Sequence, residues 1–233
     1  MLTPSACGEA ACLPPISEMQ LSPQDLDSGS FREGISELAA RDADLAGILT
    51  RWGEPPFWTH SDGFPGLVLS ILAQQVSLES ADAAYAKLER AVPSVAPQEF
   101  LSLDDKTLKK VGFSRQKASY VRGIARGIVL GDIDLRALES MDDDLARRTL
   151  LRLKGIGPWT ADAYLLFALR RANAWPTGDL ALLKAIQDLK ELTELPSPEH
   201  ADALAMDWMP WRGVAARMLW FHYLCSRGRI ASA

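Results

Sequence analysis

Apolar residues recur every three or four positions along most of the chain from about residue 31 onward, which is the spacing of one face of an α-helix. The clearest case is residues 66–76, a strongly apolar stretch that ends in two glutamines, and Ser77 can then cap the next helix. Further helices are predicted at about 35–49, about 104–111, from Ser114 onward, at about 142–153, at about 158–170, from about Asp179, from Ser197, and from Trp211 to Gly228. Because no run alternates in the period of a β-strand, the chain is predicted to be all-α.

The N-terminal part of the chain has a different pattern. Residues 1–30 are rich in Pro, Ser and Gly and hold no sustained period. Such composition is typical of segments that pack poorly, so we expect a poorly ordered arm at 1–30, followed by a folded region at 31–233.

The charge of the chain is unevenly distributed. The 233 residues contain 25 Lys and Arg against 30 Asp and Glu, a formal net charge of −5. Taken alone, this acidic sum argues mildly against a protein that binds nucleic acid. However, the first 50 residues hold eight of the acidic residues and only two basic ones, whereas residues 106–126 hold seven basic residues and no acid. The folded region is therefore nearly neutral and carries a basic band.

The patterns of cysteine, histidine and hydropathy narrow further the classes of protein to which the chain can belong. Three cysteines, Cys7, Cys12 and Cys225, are too few for a disulfide framework or a four-thiolate metal site. The three histidines have no metal-ligand spacing, so no metal centre is predicted. No apolar run reaches the length of a signal peptide or a membrane span. We therefore expect an intracellular protein without membrane contact.

The stretch Lys154-Gly-Ile-Gly-Pro158 predicts a tight hairpin between two helices. Glycines on either side of Ile156 permit positive φ and leave backbone amides uncovered, and Pro158 is well placed to begin a helix. Bare amides and the positive end of a helix dipole at one point form a site for an anion such as phosphate. The alternative is a plain helical corner whose glycines serve only close packing.

Asp179 follows about twenty residues later, at the predicted start of an amphipathic helix. Aspartate is a favoured N-cap, so a purely structural role is one interpretation. The other interpretation is chemical, because the helix dipole and nearby amides stabilise an ionised carboxylate there. An ionised carboxylate is suited to cleavage of a glycosidic bond, in which positive charge develops on the sugar.

Several motifs together resemble one family. The hairpin with the following Trp159-Thr160 resembles the helix-hairpin-helix of base-excision DNA glycosylases. Ile71-Leu-Ala-Gln-Gln-Val-Ser77, the helix Lys117–Ala125 and Trp175-Pro-Thr-Gly-Asp179 follow in the order and approximate spacing of that superfamily. Over about residues 35–227 the sequence is similar to the 3-methyladenine DNA glycosylase II (alkylbase) branch.

This resemblance implies two helical subdomains with the active-site cleft between them. The first would comprise residues 66–177, and the second would combine 31–65 with 178–233. It also implies that Asp179 is catalytic, stabilising an oxocarbenium-like sugar and orienting or deprotonating the attacking water. Many relatives have a second aspartate where this chain has Gly178.

The resemblance further implies a monofunctional enzyme that leaves an abasic site. Members that also cut the DNA backbone use a lysine just after the hairpin, and this chain has Trp159 there. The iron–sulfur branch needs four clustered cysteines near the C-terminus, where only Cys225 is found, so that branch is excluded.

Aromatic residues are candidates for receiving a base that has left the stack. Trp159 resembles a pocket residue of the family, and Tyr164 lies on the same predicted helix, one place after the family's second aromatic position, where this chain has Ala163. Trp58 and Phe64 precede the Gln-Gln helix and could form the other wall. Core packing is the alternative for these rings, and Trp208, Trp211 and Trp220 are predicted to lie in the core or between subdomains. An aromatic slot would prefer a cationic, alkylated purine.

The predicted DNA contacts centre on Gln75, which matches the family's intercalating wedge. The whole predicted set is Gln74, Gln75, Ser77, Lys117, Lys154, Gly155, Gly157 and Thr160. Two alternatives remain open: the glutamines could only cap their helix, and the basic residues could form a solvated face.

The predicted partner is double-stranded DNA with damaged bases, bound by a monomer in the cytoplasm of a bacterium, or in the nucleus of a eukaryote. No cofactor is expected, although the hairpin carbonyls could hold a monovalent cation. Three alternative functions remain: a glycosylase for ethenoadenine or deaminated purines, a non-catalytic helix-hairpin-helix DNA-binding module, and a helical interaction protein without a DNA role.

Overall fold

The computed structural model describes residues 25–230, so most of the predicted arm, 1–24, lies outside the described residues. The α-helices are α1 (Ser28–Arg41), α2 (Ala43–Trp52), α3 (Gly63–Leu72), α4 (Leu78–Glu89), α5 (Pro97–Ser102), α6 (Asp105–Val111), α7 (Arg115–Leu130), α8 (Asp143–Leu151), α9 (Pro158–Phe167), α10 (Leu180–Leu189), α11 (Pro198–Ala205) and α12 (Arg212–Ser226). Two 3₁₀ segments lie at Arg136–Ser140 and Met206–Trp208. Within 25–230 the only β pairing is an isolated bridge between Asp25 and Arg171, which confirms the all-α prediction. The same residues contain no helix long and apolar enough to cross a membrane.

The prediction of a poorly ordered arm up to residue 30 is wrong for its last six residues. Leu26 is buried, and α1 begins at Ser28 rather than near 35. The Asp27 carboxylate accepts hydrogen bonds from the amides of Gly29 and Ser30, and the Ser30 hydroxyl in turn accepts from the Asp27 amide. This reciprocal cap satisfies backbone donors that an arm would leave to water.

Other helix boundaries also differ from the prediction. The pattern over 35–49 is split by Asp42, whose carboxylate caps α2 by accepting from the amides of Asp44 and Leu45. The helix predicted at 66–76 begins earlier, at Gly63, and ends at Leu72. The two glutamines therefore lie in a turn after α3 rather than in its last helical turn.

Two hydrophobic cores organise the molecule. The first core is built by α3 to α9 and includes Leu67, Ile71, Val121, Leu150 and Leu165. The second core is built by α1, α2 and α10 to α12 and includes Leu38, Ile48, Ile186, Val214 and Phe221. The chain passes between them within residues 172–175, since Ala174 packs in the first core while Ala172 and Trp175 pack in the second.

Arg217 on α12 connects the two cores. Its side chain is fully buried and donates hydrogen bonds to the carbonyl oxygens of Gly213 at 3.1 Å and Leu166, on the first core, at 2.6 Å. Its guanidinium carbon lies 5.4 Å from the ring centroid of Phe167 and 5.5 Å from that of Phe57. Burial lowers the pKa of Arg217 to about 9. A charge kept in the interior by such contacts fixes α9 against α12, the two helices that meet at the site described next.

Candidate active site

The carboxylate of Asp179 is the centre of the site. As N-cap of α10, its Oδ1 accepts hydrogen bonds from the amides of Ala181 and Leu182, both at 2.9 Å. Oδ1 also accepts from the Trp220 indole N–H at 3.0 Å, and Oδ2 accepts from the Trp159 indole N–H at 2.7 Å. The carboxylate is only half-buried, so it is both fixed by four donors and still reachable from solvent.

The hydrogen-bond donors to Asp179 come from helices of both cores, so the site forms only when the two cores pack together. Trp159 is the second residue of α9 in the first core, and Asp179 begins α10 in the second. Trp220 on α12 packs against both cores. The site therefore lies at the junction of the two helical units.

Sequence reasoning predicted Trp220 to lie in the core or between subdomains, and it missed the contact of this residue with the carboxylate. The residue lies in a largely buried helix, where an indole ring looks like ordinary core packing. In the structure the ring stacks on Phe167 with a centroid distance of 5.2 Å, and Phe167 stacks on His60 at 4.9 Å. This aromatic column (His60, Phe167 and Trp220) supports the indole whose N–H reaches Asp179. Burial lowers the pKa of His60 below its ordinary value of 6.5.

The structure contradicts the pocket prediction for Tyr164 and Phe64. Tyr164 is completely buried, and its hydroxyl donates to the Gly63 carbonyl at 3.3 Å. Five helical residues turn the chain by about 140° beyond a full circle, so Tyr164 faces away from Trp159. Phe64 is buried in the first core, where its ring lies edge-on to Phe100. Neither ring presents a face to a base.

Trp58 packs beside the second core and is not one of the groups that bind the carboxylate. Its half-buried ring packs against the second core, with its centroid 6.4 Å from that of Phe221. The ring makes no hydrogen bond to Asp179, whose described partners are the two other indoles and the two amides. Of the predicted aromatic set, Trp159 is the member that hydrogen-bonds the carboxylate among the described residues, and Trp58 as a pocket wall stays a prediction.

The predicted hairpin forms, with positive φ at Gly155 but not at Gly157, whose φ is −94°. Gly155 has φ 95°, and a Cβ at this position would lie 2.3 Å from ring atoms of Tyr120, so both its backbone conformation and its surroundings require glycine. Gly157 is the N-cap of α9 and Pro158 its first residue. The first amide of the helix to reach a backbone acceptor is that of Ala161, which donates to the Gly157 carbonyl. The preceding amides of Trp159 and Thr160 are therefore available to an anion.

Gln74 and Thr160 have a role within the protein that the sequence did not predict. The Thr160 side chain is buried, and its hydroxyl oxygen accepts a hydrogen bond from the Gln74 side-chain amide at 2.9 Å. The same amide nitrogen donates to the Gly155 carbonyl at 2.9 Å. These side chains therefore join the turn after α3 to the hairpin. Both side chains are engaged within the protein, and DNA contact by Gln74 and Thr160 stays a prediction.

Lys117 is also engaged within the protein. Its ammonium donates to the carbonyl oxygens of Leu72 and Gln74, each at 2.8 Å, and burial lowers its pKa. An ammonium has three N–H donors, so one remains for a phosphate, and Lys117 as a phosphate ligand stays a prediction. Lys154, by contrast, is exposed beside the hairpin.

The turn that follows α3, residues 73–77, presents Gln75 to solvent. Gln75 is exposed and has φ 56°, a left-handed conformation that is uncommon for a residue with a side chain. The neighbouring Val76 is 47% exposed, which is unusual for an apolar residue of its size. Ser77 ends the turn and caps α4, as predicted, by accepting from the Ser80 amide. We call residues 73–77 the wedge turn.

No group of three or more His, Cys, Asp or Glu residues that could hold a metal ion is found within residues 25–230. A surface recess of about 250 Å³ is lined by 132–135, Leu138, Thr149, Leu150, Arg152 and Leu153, but it includes neither Asp179 nor its two tryptophans.

Two helical units that share a carboxylate, with a glycine hairpin presenting free amides beside it, define a helix-hairpin-helix protein. Residues 68–210 match the family described as HhH-GPD superfamily base excision DNA repair protein, and the chain belongs to this superfamily. The superfamily resemblance that the motifs indicate is thereby confirmed.

Individual relatives agree with the family match. A DNA-3-methyladenine glycosylase of Bacillus subtilis is 30% identical over 113 residues, which are 48% of this chain and 37% of that protein. The chain thus spans less than half the length of this relative. The crystal structure of a DNA-3-methyladenine glycosidase from Bacillus halodurans matches with a TM-score of 0.71 and 27% identity, covering 84% of this chain and 91% of that one. Schizosaccharomyces pombe 3-methyladenine DNA glycosylase Mag1, solved with abasic DNA, matches with a TM-score of 0.75 and 21% identity, covering 86% and 98%.

Proposed function

We propose that the protein is a monofunctional DNA glycosylase that hydrolyses the N-glycosidic bond of alkylated purines such as 3-methyladenine and leaves an abasic site. The observation that carries this proposal is the Asp179 carboxylate, held by two helix amides and two indoles beside a hairpin with free amides. A protein that only bound DNA would need the hairpin but not the carboxylate. The names of the relatives support the alkylated-base substrate.

The hydrogen bonds suggest how the carboxylate works. Oδ1 accepts three hydrogen bonds and is saturated, whereas Oδ2 accepts one, from Trp159, and keeps a lone pair for another partner. As the C1′–N bond of the nucleotide breaks, the base leaves with the bonding electron pair and the sugar becomes oxocarbenium-like. We assign to Asp179 the stabilisation of this cation and the orientation of the water whose oxygen then bonds to C1′. The proton of that water passes to the carboxylate or to solvent.

The indole rings beside Asp179 fit a cationic leaving group. Alkylation at N3 or N7 gives a purine a positive charge, and the face of a tryptophan attracts cations. A cationic base also leaves readily, so the mechanism does not depend on a strong general acid. Trp159 and Trp220 would therefore select the damaged base and hold the carboxylate at the same time.

Binding to the DNA backbone would come from the amides of the hairpin, supplemented by the exposed Lys154. Gln75 would enter the space that the extruded base vacates. We propose that the protein acts as a monomer on damaged duplex DNA and that hydrolysis needs no cofactor. If a monovalent cation binds the hairpin carbonyls, the Gly155 carbonyl oxygen would have to coordinate the cation while it also accepts the hydrogen bond from the Gln74 side-chain amide.

The absence of lyase chemistry is part of the proposal. A Schiff base needs an amine at the sugar, and the residue just after the hairpin, where lyases of this fold carry lysine, is Trp159. Hydrolysis by water alone leaves the DNA backbone intact.

The test uses duplexes that each carry one lesion: 3-methyladenine, 7-methylguanine, ethenoadenine, hypoxanthine or 8-oxoguanine. Strand cleavage is compared with and without alkali after incubation with the protein. We expect cleavage of the alkylated duplexes only after alkali. Cleavage without alkali would refute the monofunctional assignment, and release of ethenoadenine or hypoxanthine alone would move the substrate to that class. DNA binding without release of any base would identify a non-catalytic module.

A further inference from the structure

The wedge turn is held by two side chains: Lys117, which comes from α7, and Gln74, which belongs to the turn itself. Lys117 reaches it from α7, 43 residues away in sequence, and bonds the carbonyls of Leu72 and Gln74 on either side of Ala73. Leu72 is the last residue of α3, so its carbonyl has no helical partner and lies at the negative end of the helix dipole. An ammonium there neutralises that end and fixes where the helix stops.

The second contact runs in the opposite direction, from the turn to the hairpin. The Gln74 side-chain amide donates to the Gly155 carbonyl and the Thr160 hydroxyl, both at 2.9 Å. The backbone of Gln74 is thus held by Lys117 while its side chain holds the hairpin. We call the Lys117 and Gln74 contacts together the brace.

Gln75 needs such a brace. Its left-handed φ of 56° is costly for a non-glycine residue and persists only where the surroundings determine it. The Gln75 side chain itself is exposed, so packing around it does not supply that restraint. The residue immediately before it, however, is restrained through its carbonyl, its side chain, and the end of α3.

We propose that Lys117 and Gln74 are positioning residues that hold Gln75 ready for insertion into the base stack and set its place relative to the hairpin. This inference rests on the proposed function and extends it to a specific step, the extrusion of the base. The brace joins the element that fills the stack to the element that binds the phosphate, so both engage one site on the duplex in a fixed relation. Neither residue needs to touch DNA.

The test separates extrusion from chemistry. Single-turnover release of 7-methylguanine is measured at saturating protein, with the lesion either paired with cytosine or placed opposite an abasic-site analogue, where no pair must be broken. Lys117→Met keeps the aliphatic stem and loses the ammonium, and Lys87→Met removes an exposed lysine on α4 as a charge-matched control. We expect Lys117→Met to slow release from the paired duplex about tenfold or more, the scale of a lost charged hydrogen bond. Release from the unpaired duplex should fall less than about threefold, since extrusion costs little there.

Equal slowing on both duplexes would overturn the proposal, because a general structural defect does not depend on pairing. Lys117→Arg, which keeps a cationic donor, should restore most of the rate on the paired duplex. Gln74→Met breaks only the second contact of the brace and should show the same dependence on pairing. It also keeps the inference testable if circular dichroism shows that Lys117→Met does not fold.

A double-mutant cycle tests whether Lys117 acts through Gln75. In a Gln75→Ala background the Lys117→Met change should cost less than about twofold in rate, since there is no wedge left to position. Multiplicative losses would refute the coupling. If the wild-type protein releases base from neither duplex, the proposed function has failed and the inference fails with it, whereas a defect confined to the variants concerns the brace alone.

Discussion

Replacement of Asp179 by asparagine separates the two roles of this side chain, helix cap and catalyst. Asparagine caps helices as well as aspartate does, so its Oδ1 can still accept from the Ala181 and Leu182 amides. Its side-chain nitrogen then takes the place of Oδ2, which in the wild type accepts from the Trp159 indole N–H at 2.7 Å. Two donors would oppose each other there, and we expect the free energy of unfolding to fall by about 1 kcal/mol.

The loss of negative charge should cost far more in rate. A carboxylate about 4 Å from a unit positive charge, at an effective dielectric constant of about 20, is worth about 4 kcal/mol. If the charge develops fully in the transition state, its removal slows the chemical step about 10³-fold. Asp179→Ala should lose activity similarly and also lose the cap, leaving two indole donors without an acceptor, at about 2–4 kcal/mol of stability in total.

The assay is single-turnover release of 7-methylguanine, measured beside urea unfolding of the same preparations. Asp104→Asn is the matched control, since Asp104 caps α6 by accepting from the Thr107 amide and no indole contacts it. We expect this variant to keep full activity. An Asp179→Asn protein within tenfold of the wild-type rate would refute the assignment of Asp179 as the catalyst, and an unfolded one would show that the four hydrogen bonds are mainly structural.

Three further changes test neighbouring parts of the argument. Trp220→Phe keeps the ring stack but removes one donor to Asp179, and it should lower the single-turnover rate about tenfold; an unchanged rate would show that the indole N–H does not position the carboxylate. Gly155→Ala forces a Cβ against Tyr120 at positive φ and should destabilise the protein by about 1–3 kcal/mol in urea unfolding, whereas a loss below about 0.5 kcal/mol would contradict the hairpin geometry. Because burial lowers the pKa of His60, the unfolded chain takes up a proton below pH 6.5 that the fold excludes, so stability should fall as the pH drops from 7.5 to 5.5, by at most about 1.4 kcal/mol per pH unit from this residue. His60→Phe should lose less stability than the wild type over that range, and equal losses would exclude His60 as the cause.

Local chemistry made much of this fold predictable. The caps at Ser77, Ser114 and Ser197 each accept an amide of their helix, as the sequence pattern indicates. These signals depend only on residues three apart. The start of α1 was missed because its cap, Asp27, stands in a polar segment without a clear period. α5 was missed because it has only six residues, fewer than two helical turns, which is too short for a period to be recognised.

The site was predictable only in part, because its contacts join residues distant in sequence. Asp179 and Trp159 could be identified from motifs, but the indole of Trp220 reaches the carboxylate from 41 residues away. Lys117 likewise has contacts that its sequence context does not reveal. A lysine in a basic run suggests a phosphate ligand, and only the tertiary structure reveals two carbonyls within 2.8 Å that already hold its ammonium. Sequence shows which residues can carry charge, but not which partner each charge finds.

The acidic net charge of the chain is compatible with this arrangement. Neutral amides and a helix dipole attract a phosphate without adding any formal charge. One lysine of the basic band also bonds two carbonyls inside the protein, so part of the charge of this band serves the fold. If amides rather than cations make most of the proposed phosphate contacts, few counterions are released and binding to undamaged DNA would be weak. Such a protein can leave intact sites quickly, and its selectivity would then depend on the capped carboxylate and its two indoles rather than on the strength of its hold on the backbone.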